Sequence, residues 1–271
     1  IYTGEDTLSL HDALPILIIS DLHLNKNDVK TVELFEIFLS QIAQYSKQLF
    51  ILGDFFNTWV GDDAMEDFEK KIAKLLLDLK NKNTEIFILR GNRDLLLGQK
   101  FCDLAGAQLI KNDFYILPSC TRADTQVRPY TGEEREFIRI ALCHGDEFCT
   151  SDIKYQKYRK IVHQKFVQFL FLNSPIFIRK LISQKIRQSS KNNYLKNQKI
   201  VDVSSQAVLD FCQEKNIDIL IHGHTHQMAT HELKTPEGKV IKRIVNADWH
   251  PDHGSYVLID LLNQVFLKDF F

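Results

Sequence analysis

The chain has 271 residues, 44% hydrophobic and 25% charged, with a formal net charge of −1. That suits one large α/β domain, or one domain carrying an insertion, and no apolar run approaches the roughly 18 residues that span a bilayer. Five cysteines, an odd number with no C-x-x-C pair, argue against a disulfide framework and a structural zinc site.

Residues 1–16, "IYTGEDTLSLHDALPI", have no initiator Met and no basic region ahead of an apolar core, so they do not read as a signal peptide. They fit nothing downstream and read as a non-native leader of translated adapter sequence. From there short apolar runs recur, each ending in a polar cluster. "ILIIS" (16–20) precedes "DLHL", "QLFIL" (48–52) precedes "GDFF", and "EIFIL" (85–89) precedes "RGNRD". Further on, "IRIALC" (138–143) precedes "HGDE", and "IDILI" (217–221) precedes "HGHTH". Such runs predict buried strands.

Between the early strands, "VKTVELFEIFLSQIAQY" and "EDFEKKIAKLLLDLKN" repeat apolar residues at helical spacing. Strand–helix alternation predicts a mostly parallel sheet. Residues 119–136 lack periodicity and read as an extended surface loop or a hairpin. "SDIKYQKYRKIVHQKFVQFLFL" reads as one amphipathic helix, and "NSPIFIRKLISQKIRQSS" as the next, with Ser174 as N-cap and Pro175 in the first turn. The division is a core of 17–149 and 201–271 with a helical insertion at 150–200. "KRIVN", "SYVLID" and "QVFLKDFF" read as hairpin strands completing a second sheet, although periodicity leaves one sheet or two open.

Charge is segregated. Residues 153–200 hold twelve Lys or Arg and no Asp or Glu, leaving 22 basic against 35 acidic residues elsewhere. That points to an anionic partner for the segment.

In open α/β sheets ligands gather beyond the carboxyl ends of strands. The clusters there offer Asp21, His23, Asp54, Asn92, His144, His222, His224 and His226. An oxygen and imidazole set this large is too big for one tetrahedral zinc and suits two octahedral ions such as Mn²⁺ or Fe, with Zn²⁺ an alternative. Asp54, alone at its strand end, reads as the bridge between them. His224 and His226 read as alternate residues of an extended chain sharing a face. Gly53, Gly91 and Gly223 read as tight turns. Asp62 and Asp63 fit a surface loop as readily as a substrate contact, and His250 carries no assigned role.

D-x-H, G-D, G-N, H-G and G-H-x-H, in that order over residues 17 to about 250, resemble the calcineurin-like metallophosphoesterases. The resemblance implies a four-layer α/β–β/α sandwich with a dinuclear site. It implies that Asp21, His23 and His226 hold one ion, that Asn92, His144 and His224 hold the other, and that Asp54 bridges. His222 matches no ligand. "GNRD", with Arg93 where the wider family carries His, resembles the UDP-2,3-diacylglucosamine hydrolases of lipid A synthesis. So do "FNTWVGDD", "HGDEFCTSDIKYQKYR" and "ADWHPDHGS".

This implies Mn²⁺-dependent cleavage of a pyrophosphate by water activated between the ions, giving UMP and 2,3-diacylglucosamine 1-phosphate. Arg93, with Asp54 and Asn92, would act in catalysis. Asn92, Arg93, Asp152, Ser190, Asn193, Lys196 and His224 would touch the substrate. Residues 150–200 would form a lid whose Phe166, Phe169, Phe171, Ile176 and Phe177 line an acyl pocket. The protein would sit in the cytoplasm on the inner-membrane surface, with no nucleic-acid or obligate protein partner. The alternatives are a phosphodiesterase or nuclease of the same superfamily and, less favoured, a metal-free scaffold.

Overall fold

The computed structural model describes residues 14–118, 138–197 and 202–271, with side chains described except at 189–197. Residues 119–136, expected as a loop or hairpin, and all but the last residues of the leader lie outside these. The Pro15 carbonyl accepts from Lys47 N, and Ile16 belongs to the first strand rather than to the leader.

The five apolar runs are strands. β1 (Ile16–Ile19), β2 (Gln48–Leu52) and β3 (Glu85–Leu89) run parallel, crossed over by α1 (Val29–Gln41) and α2 (Asp67–Lys80). Then come α3 (Gln99–Ala105), β4 (Gln108–Leu109), β5 (Phe114–Ile116) and β6 (Ile140–Cys143). Three helices follow, α4 (Ile153–Val162), α5 (Lys165–Leu172) and α6 (Ile176–Asn197). The chain ends in α7 (Ser205–Lys215), β7 (Ile219–His222), β8 (Ala229–Lys234), β9 (Val240–Val245), β10 (Gly254–Ile259) and β11 (Val265–Phe270).

There are two sheets, ordered β11-β10-β1-β2-β3-β4 and β5-β6-β7-β9-β8. Successive residues of a strand face opposite sides, and both sides are apolar here. Leu17, Ile19, Leu49 and Ile51 pack with Phe35, Phe38, Ile72 and Leu76 of α1 and α2. Ile18, Phe50 and Leu52 face the other way, onto Ile140, Leu142, Ile221 and Ile244 of the second sheet. That sheet's far side, Ala141 and Leu220, is covered by Val208 and Cys212 of α7. The result is four layers, helix–sheet–sheet–helix, with unbroken apolar runs as the mark of strands buried on both faces.

Three expectations shift. "KRIVN" lies in β9 of the second sheet, but the β10–β11 hairpin joins the first, because β10 pairs antiparallel with β1. The first helix of the 150–200 segment is two helices, since Gln164 turns extended and its neighbour His163 caps α4. Ser174 does not cap α6; its hydroxyl donates to Phe171 O and closes α5 instead.

Candidate metal centre

Five parallel strands of the two sheets deliver polar side chains beyond their carboxyl ends. Asp21 and His23 follow β1, Asp54 follows β2, Asn92 follows β3, His144 follows β6, and His224 and His226 follow β7. All seven converge. Nδ1 or Nε2 and carboxylate atoms of Asp21, His23 and His226 lie within 4.8 Å of one another, as do those of Asp21, Asp54 and His144. Asn92 Oδ1 lies 3.0 Å from both His144 Nε2 and His224 Nδ1. Asp54 reaches both halves, 3.9 Å from His23 Nδ1 and 3.6 Å from His144 Nε2.

The backbone bends to make this possible. Asp21, His23, Asp54, His224 and His226 all have positive φ, between 48° and 66°. Left-handed backbone is costly for residues with a Cβ and concentrates at functional sites. His224 and His226 therefore converge through a tight loop, not as alternate residues of a strand.

Gly91 and Gly223 serve space more than φ. A Cβ on Gly91 would stand 2.3 Å from Asp54 N, and one on Gly223 would stand 2.0 Å from Asp21 Oδ2. Gly53 has φ +85° and a backbone pressed against that of Gly91.

Asp94, the last residue of "GNRD", locks these loops together. Its Oδ1 accepts from Gly91 N at 2.7 Å and Asp54 N at 3.2 Å, and its Oδ2 from Phe55 N at 2.7 Å and Phe56 N at 3.3 Å. Burial, with the charge of Asp54, still pushes this carboxyl up to about 6.

The residues fit a pair of divalent cations. Asp21 Oδ1 and His23 Nδ1 are buried without a hydrogen-bond partner among the described residues, which is the state of donors arranged for a metal. His144 Nδ1 is held by Leu52 O at 2.9 Å, leaving Nε2 toward the centre. His226 Nδ1 is held by Asp248 Oδ2 at 3.1 Å, leaving Nε2 facing Asp21 at 3.4 Å. Such outer partners fix the ring and its tautomer.

Asp248 is the residue that sequence reasoning missed. It follows β9, which runs parallel to β7, so the strand-end rule would have found it had "KRIVN" been read as a parallel strand. The same Asp248 oxygen also lies 3.1 Å from the exposed His250 Nε2.

Electrostatics divide the imidazoles. Burial opposes charge on His226 and His144, but Asp21 and Asp248 hold the first up at about 10, and Asp54 and Asp21 hold the second at about 9. Burial, reinforced by Arg93, draws His23 down to about 3, and burial with His144 draws His224 to about 4. Asp21 is buried, yet its histidine neighbours keep its carboxyl far below the usual range.

The remaining expected residues are placed as follows. Arg93 stands beside Asp54, Nε to Oδ2 at 3.3 Å. Asp152 caps α4 by accepting from Tyr155 N. Ser190, Asn193 and Lys196 lie on α6, their side chains outside the described residues. His222 is buried and structural, its Nε2 accepting from Arg243 Nε at 2.9 Å. Asp62 is no loose surface group, since its carboxylate accepts from Gly98, Lys100 and Phe101 N at the start of α3.

The family model for calcineurin-like phosphoesterases matches residues 14–228. The chain belongs to that family. Among curated phosphoesterase relatives, it is 34% identical over 253 residues to UDP-2,3-diacylglucosamine hydrolase of Haemophilus influenzae strain PittGG, covering 93% of this chain and 98% of that one. It is 38% identical over 241 residues to the enzyme of that name from Proteus mirabilis, covering 89% and 93%. For the one from Stutzerimonas stutzeri the figures are 37% over 235 residues, 86% and 90%.

Three outcomes follow for a phosphoesterase centre built this way. Asp94→Asn puts an amide N–H against backbone donors and lowers unfolding stability by about 1–3 kcal/mol, measured by denaturant titration; an unchanged midpoint contradicts the clamp. Below pH 8 the chain's own charges keep His226 and His144 protonated, so loading divalent ions onto chelator-treated protein releases roughly two protons. Calorimetry in buffers of differing ionisation enthalpy counts them, and fewer than about one goes against the assignment. Asp248→Asn, which loosens His226, weakens one of two bound ions by about 10- to 100-fold while sparing the other, read as two separable Kd values in a metal titration; two unchanged Kd values contradict the role.

Proposed function

We propose that this chain hydrolyses the pyrophosphate of UDP-2,3-diacylglucosamine to UMP and 2,3-diacylglucosamine 1-phosphate, a step of lipid A synthesis, using two Mn²⁺ ions at the cytoplasmic face of a membrane. The observation that carries the reading is the convergence of seven oxygen and imidazole donors around Asp21 and Asp54 with the Arg93 guanidinium at their side. The names of the curated relatives support the substrate. The absence of a thiolate from the donor set favours Mn²⁺ over softer-ligand metals.

Asp21, His23 and His226 would hold one ion, Asn92, His144 and His224 the other, and Asp54 both. Bound there, the ions supply Lewis acidity toward a phosphoryl oxygen and lower the pKa of water to near neutrality. The chain does the rest. Asp94 and the left-handed loops hold the donors rigid before substrate arrives, which is the condition for electrostatic stabilisation. Arg93 offers a planar fork to the phosphoryl oxygens; it is not a proton donor near neutral pH.

Helices α4 to α6 would form the lid. Arg179 of α6 is buried and ties to Asp63, Lys180 pairs with Glu66, and Arg159 of α4 donates to Asp146 at 2.8 Å. Phe166, Phe169 and Phe177 remain 68%, 61% and 71% exposed, an apolar surface suited to acyl chains and, with the surrounding lysines, to an anionic bilayer. Among the described residues no helix is long and apolar enough to cross a membrane.

The test is Mn²⁺-dependent release of UMP from UDP-2,3-diacylglucosamine in detergent micelles, with Asn92→Ala as control. Wild-type release that falls by about 10²–10³-fold in the variant supports site and substrate together. Turnover of bis-p-nitrophenyl phosphate alone keeps the chemistry and removes the lipid.

A further inference from the structure

Two guanidiniums from distant parts of the chain meet at one residue beside the metal centre. Arg93 donates from Nη1 to Asn57 Oδ1 at 3.2 Å, with Nε turned to Asp54. Arg187 reaches down from α6, its Nη1 donating to the carbonyl of the same Asn57 and to Thr58 Oγ1 at 2.8 Å.

The described arginines of α4 to α6 are not alike. Arg159 has Asp146 and Asp113, and Arg179 has Asp63. Arg187 has no carboxylate within ion-pair distance among the described residues, and its Nε and Nη2 carry no hydrogen bond there. It is half-buried, and both burial and the positive charge of Arg93 oppose its ionisation, with Asp54 the one carboxylate acting in its favour. Asp54 already serves Arg93 and stands between both ligand groups. The seam between α6 and the loop after β2 thus holds two cations and shares one anion. Aligned like charges persist where an anion joins them, and a guanidinium with unbonded N–H groups is shaped for phosphate oxygens.

The geometry points to Arg93 and Arg187 as a paired clamp for a diphosphate, one fork on each phosphate. Resting on the pyrophosphate reading above, Arg93 takes the phosphoryl group under attack and Arg187 takes its neighbour. A water oxygen forms the new bond to the nucleotide-side phosphorus, its proton passing to solvent, as the bond from that phosphorus to the bridging oxygen breaks. The electron pair leaves on the lipid-side phosphate, where Arg187 meets the developing charge. Arg187 would then set the preference for a diphosphate over a single phosphodiester.

The experiment compares binding of UDP and UMP to Mn²⁺-loaded protein by calorimetry, in wild type, Arg187→Ala, Arg187→Lys and Thr58→Val, with metal content checked for each. Wild type is expected to prefer UDP by at least about tenfold. Arg187→Ala should shrink that ratio by about 10-fold or more, the worth of a charge-assisted hydrogen bond, while UMP affinity stays within about threefold. Arg187→Lys should recover part of it, and Thr58→Val, which removes the strut contact and keeps the charge, should retain it. An unchanged ratio in Arg187→Ala overturns the clamp. So does an equal loss in Thr58→Val, which would make Arg187 only a strut between α6 and the loop. If wild type releases no UMP from the lipid while the ratio still depends on Arg187, the substrate reading fails and the diphosphate clamp stands.

Discussion

Asp94 is buried where the loops after β2 and β3 touch, and its two oxygens accept four backbone N–H groups from both loops. Those groups cannot be satisfied by the sheet, because each belongs to a segment that has just left it. A single carboxylate therefore sets the turn that aims Asp54 and the turn that presents Asn92 and Arg93. The glycines make the approach possible: a Cβ on Gly53 would stand 2.4 Å from Gly91 N, and one on Gly91 2.3 Å from Asp54 N, both far inside van der Waals contact. Without that closeness Arg93 N could not donate to Asp54 Oδ1 at 2.8 Å, and the guanidinium would not stand beside the centre.

The same arrangement explains why a strained backbone persists. Five of the seven convergent positions adopt left-handed conformations, each unfavourable alone by about 1 kcal/mol or more. Hydrogen bonds across the loops over-determine them. His23 N donates to Asp54 O, Asp21 N to Gly53 O, and His224 N to the Asp21 carboxylate. The centre is thus preorganised by backbone contacts between loops of both sheets, and the sheet-on-sheet core beneath holds those loops in register.

Much of this was legible because it is local. A strand end followed by Asp, Asn or His is written in consecutive residues, and parallel strands guarantee that such ends share an edge. What depends on distant pairing was not legible. Asp94 and Arg93 share one four-residue motif, yet only the fold shows that Asp94 serves a loop some forty positions earlier. Asp248 stays hidden in the sequence because "KRIVN" reads equally as a hairpin strand, and a short apolar run does not declare its partner strand. The break between α4 and α5 has no Gly or Pro to announce it, and Ser174 had two helices to choose from. The basic segment was legible as charge, but not its use: Arg159, Arg179 and Lys180 are spent on acidic groups of the core, so the formal excess overstates what is left for an anion.

The three histidines of "HGHTH" show how spacing alone misleads. All sit two residues apart, so an extended chain would give them one face and one task. They have three. His222 still belongs to β7 and is turned into the protein, where its Nε2 accepts from Arg243 and burial, with that arginine's charge, keeps it neutral, near 3. Arg243 in turn pairs with Asp202 just before α7, so His222 fastens the outer helix to the sheet. After Gly223 the backbone goes left-handed twice, which swings His224 to Asn92 and His226 to Asp21 and Asp248. Extending β7 by two residues in place of those turns would keep the histidine spacing and lose the centre. The selection is on φ as much as on side chain, and only a structure reveals it.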